Sequence, residues 1–304
     1  MTAGPVRHGW EDAAFRAATG LWGMLPEAAA LRVGAAMGVL AGSVLRVRRR
    51  DVDRHVGWAF PDRPAAWRRR VARACYGHLG REAVVLFRSG GWDAERVLER
   101  TKVVGFDAFR VAAEAGAGLV LLTGHLGNWE IGGAAIAARG VELDVVGKGM
   151  SNRGFQEDLF AARERLGMRV IEMGDAAREA LRSLGRGRVV ALLGDQSAHG
   201  GGFFLPFFGK LASTARGPAL FAARTGAPVW VAFAVRDRGR DQRYTVTFEA
   251  LPFAPTGSPE EDAAALMGAY ARRLEEAVQA APEQYFWQHR RWKRAPAEEP
   301  SSER

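Results

Sequence analysis

The chain has 304 residues, 48% of them hydrophobic and 25% charged, the balance of an ordinary globular or membrane-peripheral protein. With 43 Lys+Arg against 34 Asp+Glu the net charge is +9, which favours anionic partners such as nucleic acid, acidic lipid head groups or an acidic carrier protein. The single cysteine, Cys75, excludes an internal disulfide framework and a cysteine-based zinc site and is expected to be buried and structural.

In chain order, residues 10–47 read as two helical segments broken near Leu25-Pro26. No basic region, apolar core and small-residue cleavage site open the sequence, which fits a catalytic domain on the cytosolic side. The second segment, from about Glu27 to Val47, holds 12 apolar or small residues from Gly34 to Leu45, too few for a membrane span. Arg46, Arg48, Arg49 and Arg50 follow directly. Such a helix either lies in the interface of an anionic bilayer or packs as an ordinary helix with a solvated basic end. Trp58-Ala59-Phe60-Pro61-Asp62 reads as a turn, and Pro64 to Phe87 as one long helix. His78 and Glu82 share a face of it and are expected as a surface pair. Ser89-Gly90-Gly91 divides a helical part, 1–90, from a core, 91–294, with 295–304 as a disordered tail.

From residue 101 strand-like runs alternate with helical ones. The strands are expected at 102–105, 118–122, 143–146, 169–171, 188–193, 228–235 and 244–251. The helices are expected at 106–115, 128–139, 153–166, 175–184, 215–225 and 260–280. This alternation predicts an α/β fold with a mostly parallel sheet flanked by helices. Sites in such sheets form at the carboxyl ends of strands. His125 lies just past one such end and Asp195 just past another.

The stretch Gly124-His125-Leu126-Gly127-Asn128-Trp129-Glu130 spans a strand-to-helix turn. On one continuous helix, His125 and Glu130 would point roughly 140° apart. If the helix starts at Asn128, a preferred N-cap type, Glu130 falls in its first turn and can fold back onto the imidazole. That spacing suits a His base oriented by a carboxylate; the alternative is a His ending the strand and a Glu favouring the helix dipole. There is no Gly-x-Ser-x-Gly elbow, phosphate loop or complete dinucleotide motif, and the six histidines show no metal-ligand spacing. His199-Gly200-Gly201-Gly202 reads as a glycine turn. With no activated serine or cysteine, a His–Glu pair suits activation of a hydroxyl on the substrate. Arg68-Arg69-Arg70 and His289-Arg290-Arg291 motivate a rival reading as a non-catalytic basic protein binding membrane or nucleic acid, but no nucleic-acid module accompanies them.

Several of these blocks, in order, resemble the bacterial lipid A biosynthesis (lauroyl/myristoyl) acyltransferases of the lysophospholipid acyltransferase superfamily. They are Trp58-Ala59-Phe60-Pro61, the His125-x4-Glu130 motif, Gly194-Asp195-Gln196, Phe207-Phe208-Gly209-Lys210 with Thr214 and Gly217-Pro218-Ala219, Thr225-Gly226-Ala227-Pro228, and Gln284 to Lys293. The resemblance implies acyl transfer from acyl carrier protein, or acyl-CoA, to a hydroxyl of a membrane glycolipid such as a lipid A precursor, or of another lysolipid or glycolipid. It implies no cofactor beyond the acyl donor as co-substrate, and a place at the cytoplasmic face of the inner membrane, peripheral or N-terminally anchored. His125 would be the general base and Glu130 its orienter, with backbone N–H groups of the turn facing the oxyanion. Asn128, Lys148, Asn152, Arg163, Asp195 and Gln196 become substrate-binding candidates, with Lys148 and Arg163 suited to phosphate. Phe203 to Phe208 would wall an acyl tunnel, dip into the bilayer or pack in the core. Tyr285 to Lys293 suits a membrane interface or a strap on the domain. One departure is that the family's usual N-terminal membrane helix is here short and interrupted.

Overall fold

Short apolar runs between glycine turns build a central sheet. It is seen in a computed structural model that describes residues 20, 22–147, 153–198, 201–239, 243–252 and 256–294. The strands in chain order are β1 (Thr101–Val104), β2 (Leu119–Thr123), β3 (Leu143–Gly147), β4 (Met168–Glu172), β5 (Val189–Leu193), β6 (Phe203–Phe207), β7 (Lys210–Thr214), β8 (Val229–Arg236) and β9 (Tyr244–Ala250). Seven form one sheet in the order β1-β9-β8-β2-β5-β3-β4, and β6 and β7 form a separate hairpin. From β8 to β4 all pairs are parallel; β9 runs antiparallel to β8 and parallel to β1. Both faces are covered, so the central strands read as unbroken hydrophobic runs rather than as alternations. The expected mostly parallel α/β fold is what the chain adopts.

The helices are α1 (Glu27–Ser43), α2 (Arg49–Ala59), α3 (Ala65–Ser89), α4 (Ala94–Arg100), α5 (Phe106–Glu114), α6 (Trp129–Ala137), α7 (Arg153–Arg165), α8 (Ala176–Gly185), α9 (Gly217–Thr225) and α10 (Pro259–Ala280). One face of the sheet packs on α4, α5 and α6 through Val97, Phe109 and Ala134–Ile136. The other packs on α8, α9 and α10, with α2 and α3 continuing that core through Val52, Val56, Val71 and Cys75. Cys75 is buried and its thiol is pushed up to about 12 by that burial, so it is inert, as expected.

Helix α1 lies against α3 at very short range. A Cβ at Gly38 would overlap the Tyr76 carbonyl oxygen, and one at Gly80 the Gly34 carbonyl oxygen, so only glycine admits this approach. With its small residues turned inward, α1 presents Val33, Met37 and Leu40 outward, and Val44, Leu45 and Val47 extend that apolar surface. No helix among the described residues is long and apolar enough to cross a membrane.

Residues 94–100, where no element was expected, form α4, and two further elements depart from the sequence reading. Residues 49–59, read only as leading to a turn, form α2. The Phe203–Phe208 run is the hairpin β6–β7, whose Phe208-Gly209 loop has both φ values positive (50° and 70°), the backbone of a tight two-residue turn. Phe207 is fully buried and packs on Tyr285 and Trp292, the core role among the three considered.

Candidate active site

Strands β2 and β5 are parallel neighbours with Thr123 opposite Leu193, and the Gly194 N–H donates to the Thr123 carbonyl (3.0 Å). His125 and Asp195 each stand two residues past these matched ends, so register brings them together. His125 Nδ1 donates to Asp195 Oδ1 (2.7 Å), and the His125 backbone N–H donates to Oδ2 (2.9 Å). One carboxylate therefore fixes both the ring and its backbone. It also selects the tautomer, leaving the lone pair on Nε2. The Gln196 amide Nε2 sits 3.1 Å from that nitrogen.

Burial works against protonating His125, but Asp195, with Glu130 adding a smaller share, holds its pKa above the ordinary 6.5. Burial by itself would raise Asp195; the neighbouring imidazole, its two hydrogen bonds and the Arg291 charge hold the carboxyl below the usual carboxylate range. The result is an oriented imidazole, more basic than a free one, beside a carboxylate that stays ionised.

Glu130, expected to orient the imidazole, acts on it by charge and makes its hydrogen bonds elsewhere. It accepts a two-point fork from Arg163, Nε to Oε2 (2.8 Å) and NH2 to Oε1 (2.6 Å), and a bond from Trp129 Nε1 (3.1 Å). The reason lies in α6. Glu130 sits in its first turn and faces α7, whereas Asp195 approaches His125 from the adjacent strand end. Arg163, expected at a phosphate, has two of its nitrogens in that fork.

Asn128, expected at the substrate, has both ends of its amide in use. Oδ1 accepts from Ile131 N (3.0 Å), which caps α6, and Nδ2 donates to Glu82 Oε2 (2.6 Å). Glu82 and His78, expected on the surface, are buried beneath this turn, with side chains 11% and 9% exposed. The turn is pinned further by β8 and by the C-terminal segment. Asn128 N donates to Ala234 O (2.8 Å) and Gly127 N to Gln284 O (3.0 Å), so those two N–H groups do not face an oxyanion. Gly127 has φ +63° and meets the Ala234 carbonyl so closely that a Cβ would overlap it, which is why glycine stands there. Lys148, Asn152 and His199 lie outside the described residues.

A small cavity of about 60 Å³ lies beside this site, between the sheet and α6. Thr123, Trp129, Glu130 and Arg163 line its polar end, and Leu121, Ile136, Val145, Met168, Ala191 and Ala232 are among its apolar walls. The Trp129 ring, part of that lining, meets the His125 ring edge-on at 4.7 Å between centroids.

The aromatic–basic C-terminal segment is a strap over the domain. Phe286 N donates to His125 O (2.9 Å), and Trp287 is fully buried. His55 Nδ1 donates to Trp287 O (2.9 Å), and Arg291 NH2 donates to Thr214 Oγ1 (2.7 Å). His289 accepts from Ser197 N (3.2 Å), and burial lowers its pKa to about 4, so it remains a neutral acceptor. Among the described residues no group of His, Cys, Asp and Glu is arranged to hold a metal ion. Sequence reasoning missed Glu82, Arg236 and Tyr244 behind the turn; its one usable signal was the four-residue spacing of His78 and Glu82.

The fold is thus α/β, with a carboxylate-oriented imidazole at neighbouring parallel strand ends beside a small apolar cavity. The chain belongs to the bacterial lipid A biosynthesis acyltransferase family, whose sequence profile matches residues 8–294, and it is an acyltransferase. It is 25% identical over 282 residues to the lipid A biosynthesis lauroyltransferase of Escherichia coli strain K12, covering 91% of this chain and 89% of the relative. The lipid A biosynthesis palmitoleoyltransferase of the same organism is 25% identical over 287 residues, 92% of this chain and 90% of the relative. The phosphatidylinositol mannoside acyltransferase of Mycolicibacterium smegmatis is 28% identical over 186 residues, 60% of each chain, less than two thirds of that relative's length.

Proposed function

We propose that the protein moves a fatty acyl chain from the thioester of acyl carrier protein, or of acyl-CoA, to a hydroxyl of a membrane glycolipid, with His125 as general base and Asp195 as its orienter. The observation that carries this reading is the 2.7 Å His125–Asp195 bond, which leaves the basic Nε2 free to receive a proton. The acceptor hydroxyl displaces Gln196 from Nε2 and gives up its proton there as its oxygen attacks the thioester carbonyl. Collapse of the tetrahedral intermediate breaks the C–S bond, and the proton on Nε2 passes to the leaving sulfur. Asp195 stabilises the imidazolium between these events. The small apolar cavity beside Trp129 supports seating of the first carbons of the acyl chain, with Glu130 and Arg163 at its polar end.

The acceptor reading divides between a lipid A precursor and another glycosylated lipid such as a phosphatidylinositol mannoside, the two acceptor types named among the relatives. We place the enzyme at the cytoplasmic face of the membrane, held peripherally by α1 and the arginines that follow it. Lipid mass spectrometry of cells with and without the protein tests the reading. A lipid differing by one acyl chain is expected, and its mass names acceptor and chain length. His125→Ala must fail to restore that lipid while remaining folded; normal acylation by that variant sinks the mechanism.

A further inference from the structure

Behind the catalytic turn, on the side away from Asp195, lies a polar network with no evident part in proton transfer. Glu82 of α3 is its centre. Its carboxylate accepts from Asn128 Nδ2 (2.6 Å), from Arg236 Nε of β8 (2.7 Å) and from the Tyr244 hydroxyl of β9 (2.8 Å). His78, one helical turn earlier, donates through Nε2 to the Gly127 carbonyl (3.3 Å) and places Nδ1 3.4 Å from Glu82. Arg236 is tied by its backbone to Gln284, whose side chain accepts from Arg236 N and donates to Arg236 O (2.9 Å each). The Gln284 carbonyl in turn accepts from Gly127 N. Three separate elements therefore converge on the two residues between His125-Leu126 and α6.

Burying a carboxylate is costly unless it is paired and its lone pairs are filled, and an apolar residue would hold α3 to the sheet at least as well. A carboxylate gives direction instead. It fixes the Asn128 amide, so that Oδ1 caps α6 while Nδ2 points back to α3. Asn128 is three residues past His125, and a displacement of about 1 Å in a reacting group is enough to lower turnover roughly 100-fold. Burial acts to raise the Glu82 pKa, but the neighbouring His78 and Arg236 and the hydrogen bonds from Arg236 and Tyr244 hold it below the usual carboxylate value, which keeps it an acceptor at neutral pH.

We infer that Glu82 is a positioning residue for acyl transfer, acting through Asn128 to set the His125 turn. The inference rests on the reading of His125 as the base. The same helix carries Tyr76 and Gly80, on which α1 packs, so α3 joins the outward apolar helix to the catalytic turn.

The test follows thiol release from lauroyl-CoA by the full chain, with a total lipid extract of the producing cells as acceptor. Glu82→Gln keeps the shape and removes the charge. It should lower kcat about 10- to 100-fold, with KM for lauroyl-CoA and the melting temperature close to the unmodified protein. Asn128→Asp alone should lower kcat comparably, because two carboxylates then face each other. The double variant Glu82→Gln/Asn128→Asp reverses the donor and acceptor and keeps an N-cap at 128; it should recover kcat to within about fivefold. A normal kcat in Glu82→Gln overturns the inference, as does a double variant no better than the worse single one. If Glu82→Gln fails to fold, Tyr244→Phe removes one donor from the carboxylate and should lower kcat several-fold while folded; an unchanged kcat there overturns it equally. His125→Ala separates the two levels. If it is inactive while Glu82→Gln is normal, this inference alone falls; if it is active, the proposed mechanism falls.

Discussion

His125 and Asp195 are 70 residues apart in sequence and 2.7 Å apart in space, and the pH dependence of the enzyme should follow from that pair. The Asp195 charge holds the imidazole's pKa above 6.5, and a general base works only when deprotonated. The acid limb of kcat/KM should therefore lie above pH 6.5. Asp195→Asn removes the charge that favours the imidazolium, so the limb should move to lower pH, while kcat falls by about 100- to 10,000-fold. A pH–rate profile checks both; a limb that stays put or moves upward contradicts the assignment. Glu130 calls for a different expectation, because its strongest partner is Arg163. Glu130→Gln and Arg163→Met should lower kcat by similar factors, and the double variant should be no worse than either, the mark of two residues acting as one unit. The sequence pointed to His125 correctly as a residue at a strand end. It paired His125 with Glu130 because sequence distance was the only distance available, whereas the hydrogen-bond partner depends on which strands lie side by side. Had β2 and β5 been taken as neighbours, the equal offset of His125 and Asp195 from Thr123 and Leu193 would have named the pair.

At the scale of elements, periodicity and strand composition were sufficient for the seven sheet strands, from the apolar runs of β2 and β5 to the alternating residues of β9. They failed for α2, for α4 and for β6–β7. The apolar positions of α2, Val52 and Val56, are four apart but set among Arg49, Arg50, Asp51, Asp53 and Arg54, so the helical stripe is only two residues wide. In the hairpin, Pro206 argues against a strand, yet β6 is paired on one edge only, where a missing N–H is tolerated. Its turn forces Phe208 into a positive φ, and the Phe208 N–H donates to Glu275 of α10 (2.8 Å), a tertiary contact that sequence does not display. The α1–α3 contact supplies a test at this scale. Gly38→Leu introduces a side chain where even a Cβ overlaps the Tyr76 carbonyl oxygen, so the helices must separate. Overpacking of this kind costs about 1–3 kcal/mol or more. Thermal melting should show the loss, whereas Gly57→Ala, in a helix position with open space around it, should leave the melting temperature unchanged or slightly raised.

Over the whole molecule, the net charge of +9 is not spread evenly. The α1–α2 corner gathers Arg46, Arg48, Arg49, Arg50 and Arg54 with Arg290 and Lys293 of the strap around one broad concavity, against only Asp51 and Asp53. Arg49 and Asp53 pair with each other, and Arg54 and Arg290 both pair with Asp51, so the two carboxylates leave the corner with a clear positive excess. Beside it stands the outward apolar row Val33, Met37, Leu40 and Val44, spaced four, three and four, a single stripe along the helix. An apolar stripe next to a row of arginines suits a helix lying in the plane of an anionic bilayer, with its side chains among the acyl chains and the arginines at the phosphates. Each cation near such a surface contributes about 1 kcal/mol, and that share is screened by salt while the apolar share is not. Flotation with vesicles of neutral and of mixed anionic lipid separates the two. Binding should be strong only to the anionic vesicles and should weaken steeply between low and physiological salt. Arg46→Glu/Arg50→Glu should remove most of the salt-sensitive part, and Met37→Asp/Val44→Asp should weaken binding at every salt concentration. Equal binding to neutral and anionic vesicles would show that the arginines serve another anion, and the orientation of α1 would then have to be explained by a protein partner instead.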